Sequence, residues 1–103
     1  MNAALNPWMA AGWVYIVTNR PNGTLYIGVT DDLSRRVWEH REGSLSGFTK
    51  RYSLKRLVYC EHYDDIRDAR QREQNMKHYA RAWKVRLILL SNPKWDDLDG
   101  QLI

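Results

Sequence analysis

With 103 residues and 44% hydrophobic content, the chain is long enough for one core, too short for two, and too apolar to be disordered. Its single cysteine, Cys60, excludes an intrachain disulfide and a cysteine-based zinc cluster. The formal charge of +4 is unevenly spread: residues 33–56 carry seven basic and two acidic side chains, a net +5, against −1 for residues 1–32, +2 for 61–86 and −2 from Lys94 onward.

The chain opens with "MNAALNPWMAAG", which has no basic residue and no long apolar run, so it makes a poor signal peptide; residues 1–12 are expected to form a loose arm. Residues 13–18 and 24–29 are β-rich runs, and the intervening "NRPNG" holds the Pro, Asn and Gly of a hairpin loop. Thr30 is placed to cap a helix that begins with Asp31 and Asp32, and Gly43 to stop it. "SLSGFTKRYS" reads as a polar connector, and "KRLVYCEHY" as a third strand. The spacing then predicts one helix over "DDIRDARQREQNMKHYARA", capped by Asp64 or Asp65, and a shorter one over "WKVRLILLS", ended by "NP". The predicted order is β-β-α-β-α-α in a single domain over residues 13–98, with a tail at 99–103. "LILL" is the longest apolar run near the C-terminus and is far too short to span a bilayer, so a soluble cytoplasmic or nucleoid-associated protein with no membrane contact is expected.

An even-numbered hairpin loop, either "NG" or "RPNG", makes paired positions sum to an odd number. Tyr15 and Tyr26 then share a face with Trp13, Val17, Thr24 and Gly28, while Val14, Ile16, Leu25, Ile27 and Val29 form an aliphatic core face. The tyrosine face has two explanations. Tyrosine favours strands and covers a second face well. A bare Gly28 beside Tyr15 also suits the close approach of another group.

On the first helix, Arg36 and His40 stand four apart, beside a stripe of Leu33 and Val37. They form either a solvated ladder with Asp32 or the wall of a site reached from Tyr26. On the second helix, Ile66, Ala69, Met76 and Ala80 form an apolar stripe, and Glu73 falls inside it. A carboxylate there needs a partner. Lys77 or Arg70 can supply it by an ion pair, as can a divalent cation that keeps most of its waters. His62 and His78 lack metal-ligand spacing with His40 and read as surface residues. The basic field of residues 33–56 suits a polyanion such as DNA or RNA, or is a plain solvated surface.

Together "WVY" (13–15), "LYIGVT" (25–30), "LSRRVWEH" (33–40) and "REQNMK" (72–77) resemble the GIY-YIG endonuclease family, and "NPKWDDL" (92–98) resembles its small stand-alone members. The resemblance runs from Trp13 to Leu98. It implies an α/β fold of the α+β kind, a small three-stranded and largely antiparallel sheet flanked by helices. It also implies hydrolysis of phosphodiester bonds in DNA with one divalent ion, Mg2+ or Mn2+. By matching position, Tyr15 and Tyr26 are the signature tyrosines, Arg36 the signature arginine, His40 an accompanying histidine and Glu73 the metal ligand. The chemistry fits: Arg36 can fork onto phosphate oxygens, a metal on Glu73 can stabilise the leaving oxygen, and a tyrosine of lowered pKa can take a proton from water. Tyr15 is the favoured base, with Tyr26 orienting water or phosphate and the reverse left open. Gly28, Lys50, Arg51, Arg70 and Lys77 are the candidates for further nucleic-acid contacts, mainly to the backbone. Trp13 departs from the pattern by standing where its first glycine would be. The alternatives are a nucleic-acid-binding module of the same fold without turnover, and a nuclease subunit that needs a protein partner for targeting.

Overall fold

The computed structural model describes residues 10–45 and 47–101. Most of the expected N-terminal arm and the end of the expected tail lie outside the described residues. The elements are β1 (Gly12–Thr18), β2 (Leu25–Thr30), α1 (Leu33–Glu42), α2 (Phe48–Arg51), β3 (Arg56–Tyr63), α3 (Ile66–Lys77), α4 (Arg81–Ser91) and a 3-10 turn at Leu98–Gln101. The sheet is antiparallel throughout with spatial order β2-β1-β3, so β1 is the central strand.

Register follows from the hairpin loop. Tyr15 lies opposite Gly28 and Val17 opposite Tyr26, so the two tyrosines share a face, as a four-residue "RPNG" turn requires. Gly23 N–H donates to the Arg20 carbonyl at 2.9 Å, with Pro21 and Asn22 between them and Asn22 at φ 56°. Proline at the second position and a left-handed third residue are what a type II turn needs. Asn19 Oδ1 accepts from Thr24 N–H at 3.0 Å and closes the loop a second time.

Both faces of the sheet are buried. On one, Val14, Ile16, Ile27 and Val58 pack with Ala69 and Met76 of α3, Ile88 of α4, and Trp95. On the other, Tyr15 and Val17 pack with Leu33 and Val37 of α1, Leu54 and Leu57. A shift in the β1–β3 register between Ile16 and Val17 leaves Val58 as the extra residue, so consecutive Val58 and Tyr59 both face the first core while Leu57 feeds the second. The tyrosine face is therefore a second core rather than an open surface, because α1 brings its Leu33–Val37 stripe down onto it.

Several expected boundaries move. The cap of α1 is Asp32, whose carboxylate accepts from Arg35 N–H, and not Thr30, whose hydroxyl accepts from Asp32 N–H. Gly43, at φ 69°, does end α1, and Asp65 caps α3. The connector contains the one-turn helix α2. The single helix expected over 64–82 is broken after Lys77. Arg72 Nη1 donates to the Tyr79 hydroxyl at 3.1 Å, and Arg81 Nη2 reaches the Asn22 and Gly23 carbonyls at 3.0 and 2.7 Å. These contacts fix the break and tie the start of α4 to the hairpin tip. Ala80 consequently leaves the α3 stripe and becomes the residue before α4.

The "NPKWDDL" segment docks on β3. Asn92 is 4% exposed; its Nδ2 donates to the Val58 and Asp96 carbonyls at 3.1 and 2.9 Å, and its Oδ1 accepts from Asp96 N–H. Asp97 accepts from Leu57 N–H and pairs with Arg41 of α1.

Candidate active site

Tyr15 stands on the central strand and has no solvent-exposed surface. Its hydroxyl lies 3.0 Å from Nε2 of His40, which comes from the last turn of α1 and is itself 4% exposed. The Tyr26 and His40 rings are 6.0 Å apart and those of the two tyrosines 6.4 Å apart, so the three rings form one cluster. The expected ladder of Asp32, Arg36 and His40 is not formed, because His40 turns inward to Tyr15. Gly28 makes the arrangement possible: a Cβ there would fall 2.4 Å from both Cζ and the hydroxyl oxygen of Tyr15.

Arg36 lies on the next turn of α1. Its Nε donates to Glu39 Oε1 at 3.1 Å and its guanidinium also bears on the Tyr15 hydroxyl, which leaves the remaining donors of the fork for another anion. Tyr26, Arg36 and His40 line one open cavity of about 300 Å³ with Leu45, Phe48 and Thr49. Tyr15 lies behind that wall rather than on it.

Burial sets the protonation states. It pushes the Tyr15 hydroxyl up to about 12; the Arg36 guanidinium opposes the shift, while the Tyr26 and Glu73 charges add to it. Burial, then the Arg36 charge, pushes His40 down to about 4. A neutral imidazole accepting from Tyr15 at Nε2 carries its proton on Nδ1, and that buried atom has no hydrogen-bond partner.

Glu73 comes from α3, on the other side of the sheet, yet lies close enough for its charge to bear on the Tyr15 hydroxyl. Its side chain is 14% exposed and pairs with Lys77 Nζ at 3.3 Å, one of the two partners expected; Arg70 is exposed. Among the described residues no three His, Cys, Asp or Glu side chains converge to hold a metal. One largely buried carboxylate fits only an ion that keeps most of its waters and takes substrate phosphate as a further ligand, which is how Mg2+ is commonly held.

Lys50 and Arg51 are exposed on α2, beside the cavity. His62 and His78 are exposed, as expected. Trp13 does not line the cavity; its ring meets His62 edge-on at 4.7 Å. Leu45, Phe48, Thr49 and Glu39 are the site residues that sequence reasoning missed. Phe48 alone had a signal, as the only phenylalanine, two residues before the basic pair Lys50–Arg51.

A small antiparallel sheet, with two tyrosines on its first hairpin and an arginine and a histidine on the helix that follows, defines a GIY-YIG-type domain. The chain belongs to that family: residues 11–86 match the GIY-YIG catalytic domain. The family is one of nucleases. The chain is 39% identical over 80 residues to UPF0213 proteins of Staphylococcus aureus strains Mu3 and N315, covering 78% of this chain and 96% of each relative. It also resembles the solution NMR structure of a UPF0213 protein from Bacillus halodurans, with a TM-score of 0.53, 28% identity, and coverage of 84% of this chain and 92% of the other. No helix among the described residues is long and apolar enough to cross a membrane.

Proposed function

We propose that the protein is a divalent-metal-dependent endonuclease that hydrolyses phosphodiester bonds in DNA. The observation that carries this reading is the convergence of Tyr26, Arg36 and His40 on one cavity, backed by Tyr15 and within electrostatic reach of Glu73. Arg36 holds non-bridging phosphate oxygens through the part of its fork that Glu39 leaves free. A water attacks phosphorus, the bond to the leaving oxygen breaks, and the water's proton passes to a tyrosine. Tyr26, in its phenolate form, is the better placed acceptor because it lines the cavity, whereas Tyr15 is sealed from solvent. Tyr15 then acts as a positioning residue that fixes the His40 ring. Glu73 would hold one Mg2+ or Mn2+, which supplies Lewis-acid stabilisation of the leaving oxygen. Exposed Lys50, Arg51 and Arg70 add backbone contacts, and Lys77 is available to them if the metal draws Glu73 away.

The test is nicking of plasmid and branched DNA with magnesium and with chelator. Wild type is expected to nick only with metal, and Glu73→Gln to lose nicking while its melting temperature stays within a few degrees. If wild type is no better than Glu73→Gln on every substrate, the enzyme reading fails. Salt-sensitive binding without cleavage would then leave the binding-module reading.

A further inference from the structure

Beside the cavity, three aromatic rings form a short ladder that runs out to solvent. Tyr26 and Phe48 are 6.5 Å apart and inclined by only 28°. Phe48 and Tyr52 are 4.7 Å apart. Phe48 is 47% and Tyr52 43% exposed, so two rings of this ladder present apolar surface to water. Arg51 lies with Cζ 5.6 Å from the Tyr52 ring centre, at the ladder's outer end. Lys50, Arg51 and Lys55 flank Tyr52 in the sequence and are exposed, and no acidic residue occurs between Gly47 and Arg56.

Exposed rings at the rim of a basic surface suit a ligand that is both anionic and aromatic. A duplex offers its phosphates but keeps its bases stacked inside, so it can satisfy the lysines and Arg51 while leaving Phe48 and Tyr52 uncovered. An unpaired strand offers both, and base-on-aromatic stacking is tolerant of sequence. Phe48 belongs to the cavity wall and to the ladder alike, so a base stacked on it sits next to any phosphate held by Arg36.

We infer that Phe48 and Tyr52 form a stacking platform for an unpaired base, which directs the site to nucleic acid that is single-stranded or splayed open next to the scissile phosphate. The inference rests on the proposed nuclease reading for the place of that phosphate. The base contact itself needs no metal and no turnover.

The test separates the two. Binding is measured with non-cleaving Glu73→Gln protein in chelator, on a single-stranded oligonucleotide carrying 2-aminopurine and on the same sequence as a duplex. The single strand is expected to bind more tightly by about tenfold, with quenched 2-aminopurine fluorescence. Phe48→Ala or Tyr52→Ala, added to that protein, should weaken single-strand binding by roughly tenfold and abolish the quenching, with a much smaller loss on duplex. Tyr52→Phe should retain both, and so should Trp83→Ala on the opposite side of the sheet. Equal losses on strand and duplex, or no loss, overturn the platform; in the second case the rings serve a protein partner or nothing. Plasmid nicking by the wild-type protein, without these substitutions, reports on the nuclease reading alone. Nicking with no strand preference sinks only this inference, and strand-selective stacking without nicking sinks only the nuclease.

Discussion

Gly28 and Tyr15 occupy one space. A methyl group on Gly28 would press on the Tyr15 ring 2.4 Å away, and that ring is fully buried. Gly28→Ala is therefore expected to cost about 1–3 kcal/mol by overpacking. It should also push the Tyr15 hydroxyl off His40, so cleavage falls by more than the loss of folded protein accounts for. Chemical denaturation with nicking assays checks this; unchanged stability and activity would mean that the hairpin is softer than its register suggests. His40 carries a second prediction. Its folded pKa of about 4 lies below the ordinary 6.5, so between those values the unfolded chain binds more protons than the folded one. The stabilising contribution of neutral His40 is complete above about pH 6.5 and drains away as pH falls through that window, by up to about 3 kcal/mol. His40→Gln keeps an acceptor for Tyr15 but cannot titrate. Its unfolding free energy should fall less steeply on acidification than that of wild type, and parallel pH profiles would refute the assignment.

At the scale of elements, Asn92 is the buried anchor of the C-terminal segment, beside the contacts of Asp97 to Leu57 and Arg41. Asn92 makes three hydrogen bonds from a buried position, one to Val58 on β3 and two that close the turn to Asp96. Asn92→Ala should leave the Val58 carbonyl unpaired and cost about 1–3 kcal/mol. Asn92→Asp should be no better, because it removes both Nδ2 donors and buries a charge. Thermal melts of the two variants check this, and an aspartate as stable as wild type would show that the segment is wetter than its burial indicates. The same element explains why α4 lies where it does, since Ile88 and Trp95 enter one core from either side of Asn92.

For the molecule as a whole, the legible parts were those with strictly local causes. Alternation and loop composition fixed which residues share the tyrosine face, and Gly43 and Asp65 marked helix ends by chemistry within one turn. What could not be read depended on distant partners. Nothing local in "KHYARA" stops a helix; Arg72 on Tyr79 and Arg81 on the hairpin tip do. The helix α2 is one turn in a stretch of serine and glycine, too short for periodicity to reveal. The burial of Tyr15 needed Leu54 and Leu57, far along the chain, to arrive on its face. Once sealed in, Tyr15 has its pKa raised by burial, a consequence of those distant partners that no local pattern carries.

The sheet separates the layer of the cavity residues, under α1, from α3, which carries Glu73. Tyr15, Tyr26, Arg36, His40 and Phe48 fall within 34 consecutive residues, 15 to 48, whereas Glu73 comes 58 positions after Tyr15. On the proposed chemistry, the phosphate-holding residues and the metal seat therefore meet only where α3 packs against the sheet, and the site reports on the long-range part of the fold rather than on the hairpin alone.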